Sequence, residues 1–182
     1  IIAIAKDKEA TGSQVTVYYK HKPMTKELKA TIAGIAGIYL KSVTSMMLND
    51  RLKEISEKPN APFMSAYSYD ANFIVSKTMD AFTTMAVSKE GETQKALKAL
   101  LQETERVNRF GFTESEYERA KANLLSMIES MYKEREKQKN SSYVEEYVSH
   151  FTDGGSICGI ETDYMLLNKV AASTGIEQVN KY

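Results

Sequence analysis

Asn49-Asp50-Arg51-Leu52-Lys53-Glu54-Ile55 closes a long helical pattern, and Glu57-Lys58-Pro59-Asn60-Ala61-Pro62 breaks it. Beyond the break, an aromatic extended stretch carries Phe63, Tyr67, Tyr69 and Phe73. A further helical pattern then closes on Arg106-Val107-Asn108-Arg109-Phe110-Gly111-Phe112-Thr113. This order decides the reading of the chain. Ahead of it, Ile32, Ile35, Ala36, Tyr39, Val43, Met46 and Met47 recur at three and four residues, which predicts one helix from a Thr25 N-cap to about Glu57. Behind it, residues 64–77 and 79–89 predict two long strands with a tight reversal near Thr78 and Asp80. The second alternates Ala81, Thr83, Met85 and Val87 against Phe82, Thr84 and Ala86.

The rest of the chain extends the pattern. Residues 1–5 (Ile1-Ile2-Ala3-Ile4-Ala5) and 14–21 predict strands, joined through the turn chemistry of Thr11-Gly12-Ser13. Gly34 and Gly37 weaken the first helix and predict its close approach to a sheet. A helix over 92–110 stops at Gly111. Thr113 and Glu116 form a capping box for a long helix with Tyr117, Ala120, Leu124, Ile128 and Met131 on one face, ending near Asn140. Shorter helices follow over 144–151 and 164–172, separated by Thr152-Asp153-Gly154-Gly155-Ser156. Thr174 and Glu177 predict a second capping box. The order β-β-α-β-β-α-α-α predicts an α+β fold, an antiparallel sheet of about four strands with helices packed on one face.

Bulk properties exclude several classes. A length of 182 residues suits a single domain over 1–182, and 42 % hydrophobic with 26 % charged residues is ordinary for a globular chain. Lys and Arg number 24, as do Asp and Glu, so no global field attracts nucleic acid or an anionic membrane surface. No apolar run approaches the roughly 20 residues of a membrane span. A single cysteine, Cys158, excludes an internal disulfide. The chain opens on Ile1 in a bare apolar stretch, which reads as a segment excised from something longer.

The motifs that carry chemistry are few. A catalytic zinc needs three protein ligands and an open position, and a helical His-x-x-Glu-His sets two imidazoles one turn apart. The chain has two histidines, His21 and His150, far apart in sequence, and each reads as a structural residue. Cys158 lies in Gly154-Gly155-Ser156-Ile157-Cys158-Gly159 with His150 upstream, a pattern with no specificity for an activated thiol. Glu114, Glu116, Glu118, Glu145 and Glu146 read as solvated helix faces, as does the mixed-sign run 133–139. The aromatic strand has more functional pull. Tyr67, Tyr69 and Phe73 share one face and Ser68, Asp70 and Asn72 the other. Either the aromatic face packs under a helix, or it lines a chamber and touches extended peptide, whose backbone pairs with a strand edge.

The order quoted first resembles the C-terminal, non-catalytic type of domain in the pitrilysin/insulinase family of bacterial zinc metallopeptidases, most clearly over 48–135. The resemblance implies a domain of the kind also found in mitochondrial processing peptidase, here an excised and incomplete copy. In the family's catalytic domains the zinc motif lies on the first long helix. The matching Ile32-Ala33-Gly34-Ile35-Ala36-Gly37-Ile38-Tyr39 holds neither imidazole nor carboxylate. The domain itself is therefore expected to be inactive, with no metal or cofactor of its own; zinc belongs to the catalytic domain of the parent chain. Many members carry Arg-Leu-x-x-Glu-Ile-Arg-Glu at the helix end. Arg51-Leu52-Lys53-Glu54-Ile55-Ser56-Glu57 is one residue shorter with Ser56 near the second arginine, so no peptide-clamping arginine carries over. The residues 1–11 look like the opening of the second domain of larger members, which are commonly exported to the periplasm or cell envelope. The implied role is to pack against the catalytic domain and help form the peptide chamber, with Tyr67 and Tyr69 as the candidate peptide contacts. The alternatives are a scaffold domain without substrate contact and an unrelated α+β binding module. An apolar face bared by excision also predicts self-association.

Overall fold

The structure is a computed structural model that describes residues 12–76, 78–155 and 157–182. Three strands form an antiparallel sheet: β1 (Ser13–His21), β2 (Ser65–Asn72) and β3 (Asp80–Ser88), in the order β1-β3-β2. The expected strand over 1–5, and with it any fourth strand, lies outside the described residues. Helices α1 (Lys26–Lys29), α2 (Ile32–Ser56), α3 (Thr93–Phe110), α4 (Glu114–Lys133), α5 (Asn140–Asp153), α6 (Ile160–Ser173) and α7 (Ile176–Lys181) complete the chain, with a 3-10 turn at Arg135–Lys137. The α+β architecture with an antiparallel sheet is the one read from the sequence.

The sheet's helical side holds two layers. Helix α2 lies against β2, α3 lies against β1 and β3, and α4 and α6 pack on α2 and on each other. The core runs through Tyr39, Val43, Met47 and Leu52 of α2, Phe63, Leu100 of α3, Tyr117 and Ala120 of α4, and Val170 of α6. A hydrogen-bonded tyrosine pair lies within it. The Tyr39 and Tyr117 hydroxyls lie 2.9 Å apart, and Tyr117 donates onward to the Thr174 carbonyl at 2.7 Å. Burial and the neighbouring Tyr117 push the Tyr39 hydroxyl well above the ordinary tyrosine range.

Several boundaries differ from those predicted. The first long helix is two. Thr25 caps α1 by accepting the Leu28 N–H, but Thr31 starts a new helix by accepting the Gly34 N–H at 3.2 Å and donating to the Leu28 carbonyl at 2.7 Å. Gly34 and Gly37 permit close approach, though not to the sheet. A Cβ at Gly34 would strike the Leu28 carbonyl, and one at Gly37 the end of Met24, so α1 folds back tightly on α2. Strand β2 ends at Asn72, five residues early, and the Phe73 N–H closes a wider loop onto the Met79 carbonyl at 2.8 Å. The helix α4 stops at Lys133, while α5 and α6 begin at Asn140 and Ile160, each earlier than predicted. Thr174 does not cap α7: its hydroxyl turns back to the Val170 carbonyl at 2.8 Å, and Gly175 opens the helix with its N–H on Gln178 Oε1. The Thr113/Glu116 capping box and the Gly111 stop, at φ 66°, stand where the sequence places them.

Candidate functional site

Register separates the two faces of the sheet. Tyr67 pairs with Met85, Tyr69 with Thr83, and Tyr18 with Thr83 from the other side, so these residues share a face. Ala66, Ser68, Asp70, Phe82 and Ala86 share the opposite face, where α2 and α3 pack. The aromatic face is thus the one away from α2 and α3, and core packing under a helix is not what its tyrosines do. Tyr18, Tyr67 and Tyr69 remain about two-fifths exposed at 41 %, 43 % and 42 %. Beneath them Ala81 and Thr83 of the central strand are buried, so the rings form a covering layer over small residues.

The layer is ordered by ring contacts. Tyr67 and Tyr69 stack with centroids 6.1 Å apart, and the Tyr67 hydroxyl points to Met85 Sδ at 3.8 Å. Phe73 meets Tyr18 edge-on at 5.2 Å, and the Lys20 ammonium stands 4.0 Å from the Phe73 centroid. The surface offers flat rings, hydroxyls and the Lys20 ammonium. It can hold extended apolar or acidic groups, but among the described residues it presents no paired acid and base within reach of one another.

The edge of β2 is partly closed. Phe73 bonds across to Met79, so by the alternation of an antiparallel ladder the even residues of β2 point their N–H and C=O groups outward. At Ser68 both outward groups are taken by the Asn49 amide of α2: Oδ1 accepts the Ser68 N–H at 2.6 Å and Nδ2 donates to its carbonyl at 3.0 Å. Asn49 occupies the place of a neighbouring strand. A peptide meeting this surface therefore meets ring faces before it meets a free edge at Ser68.

Sequence reasoning missed what Arg51 does. Its guanidinium is buried where α2, α3 and α4 converge, with bonds to both Glu116 oxygens (Nη2 at 2.8 Å), to the Gly111 carbonyl at 3.0 Å and, more weakly, to Glu103. It also stacks on the Phe112 ring, 4.7 Å from the centroid. Glu116 therefore serves twice, as the capping-box residue and as the partner of Arg51. The Arg51 bond, helped by Thr113, holds its pKa down at about 2 despite burial. The helix-end arginine is thus a clamp on the fold.

At the His21 end of the sheet, the helical side holds a second charged group. The Asp70 carboxylate takes His21 Nε2 at 3.1 Å and Lys41 Nζ at 2.8 Å, and Lys41 also reaches Asp80 at 3.6 Å. It borders a groove of about 1520 Å³ between α3 and the C-terminal segment, lined among others by Tyr19, Leu48, Phe82, Leu101 and Tyr182. Burial and the nearby Asp70 push the Tyr182 hydroxyl up to about 12. The groove's surface is mostly apolar, which no sequence pattern announced, because α3, β1 and the chain's end meet only in the fold.

Among the described residues, no group of three or more His, Cys, Asp or Glu is placed to hold a metal ion. The stretch 32–39 begins at the Thr31 cap and spends Gly34 and Gly37 on contact with α1 and Met24. His21 is committed to Asp70 and the Lys22 carbonyl, and His150 Nδ1 meets the Gly155 carbonyl at 2.6 Å. Cys158 is exposed.

Comparison with known proteins agrees with the resemblance read from the sequence. A curated protein of Arabidopsis thaliana, described as a zinc protease PQQL-like, is 28 % identical over 176 residues, covering 97 % of this chain and 15 % of its own length. The periplasmic protease PqqL from Escherichia coli has the same fold: TM-score 0.80, 14 % identity, 96 % of this chain and 19 % of that one. A protein described as the inactive peptidase domain of a zinc protease from Bordetella parapertussis matches with TM-score 0.57 at 16 % identity, over 94 % of this chain and 85 % of its own. No family model matches the chain. The chain resembles insulinase-type zinc proteases, among them an inactive peptidase domain, and spans 15 % of the curated relative's length. Among the described residues no helix is long and apolar enough to cross a membrane.

Proposed function

We propose that the chain is a non-catalytic domain of a zinc metalloendopeptidase, packing against the zinc-bearing domain of the same polypeptide and lending its open sheet face to the peptide chamber. The observation that carries this reading is the aromatic face turned away from α2 and α3, on which Tyr18, Tyr67 and Tyr69 are exposed and Phe73 is half-buried. The likeness to an inactive peptidase domain supports it, as does a sequence with only two histidines and no His-x-x-Glu-His. Hydrolysis falls to a separate domain; this one supplies surface that orients an extended peptide and excludes folded proteins, which contributes rate without a reacting group. The likeness to PqqL, a periplasmic protease, supports a periplasmic or cell-envelope location.

The test is binding of a labelled unstructured peptide. The double variant Tyr67→Ser/Tyr69→Ser weakens it by about fivefold or more, in line with buried tyrosines as binding anchors, while the melting temperature stays close to that of the parent chain. Equal binding by both proteins would remove the peptide role and leave a scaffold.

A further inference from the structure

The helix α5 is built inside out. Val144, Tyr147, Val148 and Phe151 form one stripe at three- and four-residue spacing, and they are 58 %, 62 %, 55 % and 86 % exposed. None of the helix's residues is buried. Its less exposed side is polar: Ser142, Glu146 and Asp153. That side is the one in contact with the rest of the molecule. Lys29 Nζ donates to the Asp153 carbonyl at 2.9 Å, and Glu146 faces Asp163 of α6, adding to the burial that raises the Asp163 carboxyl. A helix packed on its own domain against water turns the other way, because apolar surface is what burial favours. Single exposed apolar side chains are ordinary; a stripe of four with two aromatics is not.

We infer that the α5 stripe is the surface on which another domain of the same, longer polypeptide docks. The inference rests on the reading above of this chain as one domain of a larger peptidase. Length points to the occupant. The chain is matched over 97 % of its residues by a relative of which it covers 15 %, and over 96 % by a solved protease of which it covers 19 %. In a polypeptide of that size most of the chain lies outside these 182 residues. A tethered domain meets the stripe at a high effective concentration that a second free copy lacks. The stripe is uncharged, so the partner surface is an apolar groove that receives Tyr147 and Phe151 as anchors, a helix laid in a groove.

Hydrogen exchange of the full-length protein, compared with this chain alone, tests it. The α5 amides exchange at least about tenfold more slowly in the full-length protein. In that protein Tyr147→Ser/Phe151→Ser returns them to the fast rate, while the same variant of this chain melts at an unchanged temperature. Fast α5 exchange in both proteins, with another face of the domain protected in the full-length one, would overturn the docking surface and leave the packing role intact. Protection at no face would overturn both. Protection of α5 in the isolated chain that grows with its concentration would make a second copy the occupant and overturn the inference.

Discussion

Arg51 joins three helices through one guanidinium, with Glu116, Glu103, the Gly111 carbonyl and the Phe112 ring around it. Removing one partner of a buried ion pair leaves the other charge stranded. Arg51→Met is therefore expected to cost about 3 kcal/mol of stability, read as a fall in the denaturation midpoint. The same pair sets a pH dependence. Glu116 titrates at about 2 in the fold against an ordinary 4.5, so it binds its proton less readily when folded. Its contribution is complete above pH 4.5 and is lost as pH falls toward 2. In denaturation curves collected across that window Glu116→Gln loses less stability per pH unit than the parent; parallel slopes would show that another carboxylate governs the acid limb. None of this was legible beforehand, because the partners of Arg51 lie 52, 60 and 65 residues away and the arginine's own neighbours are ordinary helix residues.

Helices announce their caps because a cap is local. Thr113, Glu116 and Gly111 act within a turn of where they stand in the sequence, and all three were readable. The break between α1 and α2 was not, since the apolar period runs on without interruption and only the Gly34 contact with Leu28 requires the chain to fold back. The early end of β2 was hidden for a like reason: alternation continues past Asn72 while the hydrogen bonds close at Phe73. At the other end of the chain, α7 is tied to the α3–α4 junction by Asn180, whose side chain accepts the Phe112 N–H at 2.8 Å and donates to its carbonyl at 3.0 Å. Asn180→Ala removes both bonds and leaves backbone groups of Phe112 unsatisfied, an expected loss of about 1–3 kcal/mol. Exchange at the α7 amides reports it first; if they keep their protection, the clamp is redundant. Thr31→Ala, which takes away the α2 cap, is expected to cost about 1 kcal/mol, seen in the same denaturation midpoint.

Across the molecule the sheet divides the chain's work. One face carries the helical layers, the Arg51 clamp and the groove beside Tyr182; among the described residues the other carries the aromatic rings. The parity of Tyr67 and Tyr69 could be counted in the sequence, but which face the helices take is decided by packing, with Asn49 on Ser68 and Tyr19 on Thr104 fixing the helical side. The proposed function gives this domain a place in a peptidase whose zinc is held elsewhere. Cleavage of a quenched unstructured peptide, with zinc present, tests it on the zinc-bearing segment of the longer protein alone, on this chain alone, and on the two mixed. Expected are no cleavage by this chain, little by the zinc-bearing segment, and activity restored in the mixture but reduced when this chain carries Tyr67→Ser/Tyr69→Ser. Cleavage by this chain alone, or a mixture that associates yet cleaves no faster than the zinc-bearing segment, would contradict it.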